Sequence, residues 1–404
     1  MQSPQRFQDL PEYAFPRLRA LLDVHKPGAE PTPMSIGEPR HAPPAFLEQA
    51  LADAAEGWGR YPVNEGTPQL RAAIGVWLRK RFGVSAARTD PDKHILALNG
   101  TREGLFNACL ALCPEVKNGQ RPTILMPNPF YQCYAAAAFA AGAEPVFLPC
   151  GADTGFLPDF DAVPADLLAR TAIVYLCSPS NPQGAVATDG YWRKLIALAE
   201  TYDFRVFADE CYSEIWRDLP PPGAMAAAEA MDADPERVVV FHSLSKRSSL
   251  PGLRSGFAAG GPQAIAAIKR LRAYAGAPIP GPIQAASALI WADEAHVDAS
   301  RAIYQEKYRI ADDVLGNMPG YHAPEAGFFL WLEVGDGEAA ALKLWTQTGV
   351  RALPGAYLSR PTPPMLGTGD PGAAYLRVAL VESPARVRAG LIAIRDCLHP
   401  NSGG

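Results

Sequence analysis

The chain is predicted to fold as an α/β protein, a mainly parallel, twisted sheet between helices with a smaller α+β unit beside it. Two observations carry this. Five apolar runs, Ile95 to Leu98, Thr123 to Met126, Ala172 to Cys177, Arg205 to Ala208 and Val238 to Phe241, alternate with loop or helical sequence. Such alternation builds parallel sheets with both faces covered. The order then changes after the break Gly276-Ala-Pro-Ile-Pro-Gly-Pro282, with helical spacing from about Gln284 to Leu315 and strands at Phe328 to Glu333 and Tyr375 to Leu380. The expected division is therefore a large unit over 46–282 and a second unit made from an N-terminal arm, 1–45, together with 283–404.

Taken in order, residues 1–45 are proline-rich with few periodic runs and are expected to form an extended arm, with a short strand at Met34-Ser-Ile-Gly37-Glu-Pro-Arg40. Helical spacing covers 46–56, Tyr61 to Gly66 makes a turn, and Leu70, Ile74, Trp77 and Leu78 recur on one helix face. The strand at Ile95 breaks at Asn99-Gly100-Thr101, and Leu105, Cys109 and Leu112 mark the helix that follows. Residues 260–275 are helical, and the tail 401–404 is expected to lack order.

With 48% hydrophobic and 20% charged residues over 404 positions, the chain can bury a large core. A net charge of −5 argues against a phosphate-backbone partner, so no nucleic acid is expected. The seven cysteines form no Cys-x-x-Cys pair and the seven histidines show no zinc spacing, which points to a reducing compartment and no metal. No stretch combines a basic start with an apolar segment, and none approaches the length of a membrane span. The expectation is a cytoplasmic protein without a membrane partner.

Ligands on open α/β sheets bind outside the carboxyl ends of the strands, so the residues that follow each apolar run matter most. They are Gly100-Thr101-Arg102 at a helix start, Pro127-Asn-Pro-Phe130-Tyr131, Ser178-Pro-Ser-Asn181-Pro182-Gln-Gly184, Asp209-Glu210-Cys211-Tyr212, and Ser243-Leu-Ser245-Lys246 with Arg254 eight residues on. A lysine amine at the mouth of a sheet can form a Schiff base with an aldehyde. Hydroxyls at Ser243 and Ser245, the arginine, and free amides at a helix N-terminus suit a phosphate on the same molecule. That is the outline of pyridoxal 5′-phosphate. A lone Ser-x-x-Lys would be a surface lysine in a polar loop; five polar strand ends facing one crevice set this one apart.

Each residue type has a chemical use. A carboxylate at Asp209 would keep a pyridine nitrogen protonated, whereas its commoner role is to cap a helix. Asn181 and Tyr212 could hydrogen-bond a ring phenolate, or simply hold loops together. Tyr131 could stack on the ring, with Phe130 its rival and a core aromatic the plain alternative. Lys246 would serve as the base at Cα if burial lowers its pKa toward working pH.

These motifs, in this order, resemble the class I/II aminotransferases of the fold-type I pyridoxal phosphate enzymes along essentially the whole chain. The likeness rests on Ser-Ile-Gly37-Glu-Pro, Tyr61 with Gly66 and Leu70-Arg71, Asn99-Gly100-Thr101, Asn181-Pro-Gln-Gly184, Asp209-Glu-x-Tyr212, Ser243-x-Ser-Lys246 with Arg254, and Tyr375-Leu-Arg377-Val-Ala. The resemblance implies that Lys246 bears the cofactor, Asp209 pairs with its pyridinium, and Asn181 and Tyr212 hold the ring oxygen. It implies phosphate contacts from Gly100, Thr101, Arg102, Ser243, Ser245 and Arg254. Tyr61 would reach the neighbouring subunit's phosphate, making a homodimer with shared active sites. Arg377 would clamp the α-carboxylate of an amino acid or 2-oxo acid, assisted by Gly37 and Asn181.

The pattern departs at Gln183, where glycine or threonine is usual, and at Ala277-Pro-Ile-Pro280, which lacks a hydroxyl or amide for a partner's cofactor. A closer similarity, in Gly-Glu-Pro-Arg40-His, Asp-Glu-Cys-Tyr-Ser-Glu, Ser-Leu-Ser-Lys-Arg-Ser and Asp-Glu-Ala-His296-Val, is to bacterial succinyldiaminopimelate aminotransferases. The implied reaction moves an amino group between N-succinyl-LL-2,6-diaminopimelate and 2-oxoglutarate. Such a substrate needs a cation for its distal carboxylate, and Arg40 and Arg102 are the candidates, unless both pair with surface carboxylates. Competing readings are an aminotransferase of aspartate, alanine or aromatic amino acids, a carbon–sulfur lyase on the same fold, and a cofactor-sensing regulator domain, which would carry a winged helix ahead of it.

Overall fold

The computed structural model describes residues 5–8 and 10–399, so the expectation for the 401–404 tail lies outside the described residues. In chain order the strands are β1 (Thr32–Pro33), β2 (Ile95–Leu98), β3 (Thr123–Asn128), β4 (Glu144–Pro149), β5 (Thr171–Cys177) and β6 (Arg205–Asp209). They continue with β7 (Val238–Ser243), β8 (Gly256–Gly260), β9 (Phe329–Glu333), β10 (Val350–Arg351), β11 (Leu353–Pro354) and β12 (Tyr375–Ala379). A seven-stranded sheet has the order β2-β8-β7-β6-β5-β3-β4, and a three-stranded antiparallel sheet the order β11-β12-β9.

The large sheet is parallel except around β8, which runs antiparallel to both β2 and β7. Two reversals cancel, so β2 points the same way as β7, and its Gly100 turn arrives at the same edge as Asp209 and Lys246. That bookkeeping of direction is what assembles the site. The five expected strands are all present, and two others were missed. β4 carries Pro145 and Pro149, which an edge strand paired only to β3 tolerates. β8 consists of Gly256-Phe-Ala-Ala-Gly260, too small and glycine-rich to announce a strand; an added Cβ on Gly256 would come within 2.6 Å of the His242 carbonyl.

Helices cover both faces, and their apolar residues separate into distinct cores. One joins Trp77, Leu125, Val174, Trp192 and Phe257 on one side of the large sheet, and another joins Leu105, Ile124, Tyr134, Phe207 and Phe241 on the other. The smaller sheet has its own, with Tyr304, Phe328, Leu330, Leu376 and Leu391. The helical stretch predicted to run from Gln284 to Leu315 is broken into helices Gly281–Ala292 and Ala295–Leu315, because Asp293 adopts extended backbone. Ile290 and Trp291 of the first feed the core of the large sheet, while Tyr304, Tyr308 and Ile310 of the second feed that of the small one. By core membership the first of these helices goes with the large sheet, beyond the division expected at Pro282.

Two expectations for the N-terminal arm are corrected. It contains a helix, Ala14–Leu22, whose Ala14, Leu18 and Leu22 recur at helical spacing and bury against Trp345, Leu353 and Tyr357. The strand expected at 34–40 is instead the two-residue β1, paired in parallel with β10. Beyond it Met34 still donates to the Arg351 carbonyl and accepts from Ala379, but the chain bends at Ser35, whose carbonyl accepts from the Arg377 side chain.

One buried cation braces the β2 turn. Arg272 is fully buried and donates to Glu103 (2.6 Å) and to the carbonyls of Ala97 (2.9 Å) and Asn64 (3.2 Å). Glu103 in turn accepts from the Asn99 amide and from Asn107. Removing one partner of a buried pair leaves the other charge unpaired, so Arg272→Ala should lower unfolding free energy by ~3–5 kcal/mol. Urea denaturation followed by circular dichroism measures it; a loss under ~1 kcal/mol, the level of an exposed pair, would refute the bracing role.

Candidate active site

The carboxyl edge of the large sheet, the segment Ile36–Glu38 and the small sheet enclose a cleft of ≈ 370 Å³. Lys246 sits there because β7 ends at Ser243 and the chain makes a single helical turn, Leu244–Arg247, capped by the Ser243 side chain accepting from the Ser245 amide (3.0 Å). Its amine donates to the Gly37 carbonyl and lies 5.8 Å from the Tyr212 ring centroid and 5.2 Å from that of Phe328. Burial among these rings, with the Arg377 charge nearby, lowers its pKa from 10.5 to about 8.

Asp209 ends β6 with 5% exposure. One carboxylate oxygen accepts from the Tyr134 hydroxyl (2.7 Å) and the other from the Cys211 amide (3.4 Å). No helix follows it, so capping is not its role: residues 211–214 form a turn. Tyr134 is itself fixed by parallel stacking on Tyr175, with centroids 4.4 Å apart. Tyr212 is 7% exposed, and burial pushes its phenol well above the ordinary range.

Gly100 precedes the helix Thr101–Leu112 at φ 78, a left-handed conformation open to glycine at no steric cost. A Cβ there would lie 2.2 Å from an Arg254 guanidinium nitrogen, so the missing side chain also leaves room for that guanidinium. Arg254 donates to the carbonyls of Pro251 (2.9 Å) and Asn99 (3.2 Å), while the Ser243 and Ser245 hydroxyls touch at 2.9 Å. The result is a helix N-terminus, two hydroxyls and a guanidinium at one end of the cleft, a donor set that fits a phosphate. The carboxylate, the low-pKa amine and this cradle together fit pyridoxal phosphate.

Arg377 lies on β12 opposite Trp331 and Leu353, which brings it in from the small sheet. It donates to Asn181 (3.1 Å) and the Ser35 carbonyl (2.8 Å), sits 4.3 Å over the Phe329 ring, and its Nε finds no partner. It is 4% exposed, and burial lowers its pKa to about 10. Among the described residues no carboxylate pairs with it, which leaves a buried cation ready for an anion.

Of the residues singled out in the sequence, Gly37, Thr101, Arg102, Tyr131, Asn181, Asp209, Tyr212, Ser243, Ser245, Lys246, Arg254 and Arg377 line one cleft. Phe130 is 2% exposed and packs on Phe147 at 4.7 Å, so Tyr131 is the ring with surface to offer. Arg102 donates to the Tyr131 hydroxyl (2.6 Å). Arg40 does not line the cleft; it pairs with buried Glu382, so its predicted place beside the substrate is corrected. Tyr61 is fully exposed beside Trp58, Pro278 and Pro280, away from this cleft. Sequence reasoning missed Tyr134, Cys177 and Phe329. Tyr134 lies three residues past Tyr131 on the helix Gln132–Ala140, spacing that places it on the same face.

The chain matches the sequence profile of aminotransferase class I and II over residues 29–380. LL-diaminopimelate aminotransferases from Dehalococcoides mccartyi and Desulforudis audaxviator are each 31% identical to it, covering 97% and 98% of this chain and 97% of each relative. Among solved structures, an aminotransferase from Neisseria meningitidis superposes with a TM-score of 0.91 at 35% identity, covering 98% of this chain and all of that one. The aminotransferase AspB from Helicobacter pylori gives 0.87 at 33% identity, covering 98% and 99%.

A lysine whose pKa is lowered to about 8 is half deprotonated at that pH, where an exposed lysine is almost wholly charged. In cofactor-free protein, acetylation of Lys246 read by peptide mass should rise with pH through a midpoint near 8. A midpoint near that of the surface lysines would show that burial does not tune the amine.

Proposed function

The chain belongs to the class I and II aminotransferases, enzymes that depend on pyridoxal phosphate, and on that premise we propose that it moves an amino group between N-succinyl-LL-2,6-diaminopimelate and 2-oxoglutarate. The observation that carries the amino acid part of this reading is Arg377, a buried guanidinium without a carboxylate beside a lysine of lowered pKa. A planar fork of that kind takes a carboxylate in two parallel hydrogen bonds, and the incoming charge offsets the cost of burying the cation.

The residues divide the work as follows. Lys246 would hold the cofactor, and its amine, with its lowered pKa, would be the base for the proton at Cα. Bound pyridoxal phosphate supplies the electron sink for the pair left on that carbon. Asp209, steadied by Tyr134, would keep the proton on the ring nitrogen, and Asn181 and Tyr212 would donate to the ring oxygen. Gly100, Thr101 and Arg102 amides with Ser243, Ser245 and Arg254 would hold the phosphate, and Tyr131 would cover the ring face. Tyr61, exposed and outside its own cleft, serves the site of a second copy in a homodimer. Aqueous substrates of this kind fit a cytoplasmic enzyme, and among the described residues no helix is long and apolar enough to cross a membrane.

The distal end of the substrate meets Arg102. Among the described residues it forms no ion pair; its side-chain partners are the Tyr131 and Tyr13 phenols, so its charge is available to a second anion. Arg40 is neutralised by Glu382 and is set aside. A second reading, transfer from LL-diaminopimelate without the succinyl group, is favoured by the names of the relatives.

Single-turnover half-reactions decide between them. Holoenzyme is mixed with N-succinyl-LL-2,6-diaminopimelate, LL-diaminopimelate, glutamate or aspartate, and the visible absorbance of bound cofactor is followed. The succinylated amine and glutamate should convert the cofactor most efficiently; preference for free LL-diaminopimelate would install the second reading. Arg102→Ala should raise KM for the succinylated amine about tenfold, the worth of one charge-assisted hydrogen bond, with glutamate changed far less. Arg40→Ala should leave that ratio as it was.

A further inference from the structure

Two sequence motifs have no part in the chemistry above, Arg247-Ser248 directly after the lysine and Asp293-Glu294-Ala-His296 in the break between two helices, and in the fold they meet. The His296 Nδ1 contacts the Asp293 carboxylate, and its Nε2 lies 2.8 Å from the Ser248 hydroxyl. Arg247 donates to that same hydroxyl (3.2 Å), to the Ile290 and Asp293 carbonyls (3.0 and 3.2 Å) and to Glu294 (2.7 Å). The guanidinium is 3% exposed and stands 4.9 Å over the Trp291 ring.

Donor and acceptor counting gives the chain one direction. The Asp293 carboxylate can only accept, so the nitrogen facing it is the protonated one; in a neutral ring the other nitrogen accepts the Ser248 hydrogen, while the Ser248 oxygen accepts from Arg247. Nε2 then carries the lone pair and Nδ1 the proton, which points to Asp293. Burial holds the ring below its ordinary pKa, in keeping with a neutral imidazole; the charged groups around it are Asp293, Glu294 and Arg247, and Phe46 meets it edge-on. Arg247 meanwhile caps the C-terminal carbonyls of the helix Gly281–Ala292, where a cation is favoured by the helix dipole. The lysine turn needs such fixing: it is one helical turn long and is followed by Ser249 at φ 54, a conformation disfavoured for a side-chain-bearing residue.

We propose that the Asp293–His296 pair is a positioning device for the reaction, orienting Ser248 and Arg247 so that the turn carrying Lys246 holds its amine at the cofactor. The inference rests on the assignment of Lys246 to the cofactor. Neither His296 nor Asp293 lines the cleft, so neither is assigned as a catalytic residue.

The test uses holoenzyme variants His296→Phe, His296→Gln and Ser248→Ala, with thermal melts to confirm folding. Two quantities are read, the pH midpoint of the bound cofactor's visible band, and kcat against KM. His296→Phe and Ser248→Ala should displace the midpoint by at least about half a pH unit, a change in the balance at the lysine worth ~0.7 kcal/mol. Both should lower kcat about tenfold with KM for the amine within about twofold, the signature of a misplaced reacting group. Glutamine places an amide oxygen near Nε2 and should restore both readings. Unchanged midpoints in Phe and Ala variants, or a Gln variant as impaired as Phe, would overturn the proposal. If His296→Phe does not fold, Ser248→Ala decides, since it deletes only the linking hydroxyl. A wild-type band that does not titrate would remove the Lys246 assignment and this inference together; a titrating wild type with indifferent variants removes the inference alone.

Discussion

Two cations buried in one cleft, neither of them in an ion pair among the described residues, are the constraint on which the structure turns. Lys246 and Arg377 both carry lowered pKa values, and in both burial is the largest cause. Protein interiors do not keep such groups for stability, because desolvating an unpaired charge is costly. They persist where an anion and an aldehyde are to be bound. The surrounding contacts are to carbonyls and neutral side chains, namely Gly37 for the lysine and Ser35 and Asn181 for the arginine. Such partners hold geometry without neutralising charge.

The segment from Ser35 to Gly37 is the joint between the two sheets. Met34 hydrogen-bonds to Arg351 and Ala379 of the small unit, Ser35 meets Arg377, and Gly37 meets Lys246 from the large sheet. A Cβ on Gly37 would strike the Phe329 ring at 2.4 Å, so glycine is what lets backbone pass between that ring and the lysine. Movement of the small sheet would pass directly into the carboxylate site along this strand of contacts.

Much of this was legible in the sequence where local physics suffices. Lys246, Asp209, Asn181, Tyr212, Ser243 and Gly100 each end an apolar run, and strand ends on an α/β sheet face one crevice whatever the details of packing. Tyr134 and Phe329 were not legible, because each acts through a contact that depends on tertiary placement: a hydroxyl aimed at Asp209, and a ring beneath Arg377. Arg40 misled because sequence neighbours of a substrate glycine look close to substrate, and only the fold reveals the Glu382 carboxylate that claims it. β8 escaped because its five residues, four of them glycine or alanine, have no β-branched or alternating signal, although its reversal sets the direction of β2.

Hydrophobic period and turn chemistry, both properties of short stretches, were enough to determine the class of fold, the alternation of its elements and the polar residues at the strand ends. Which of those ends share a cavity depended on strand order and direction, which join residues far apart in the chain. The same is true of the two buried cations: a lysine or arginine in a sequence has its ordinary pKa, and only packing of the surrounding rings and strands removes the water that keeps it there.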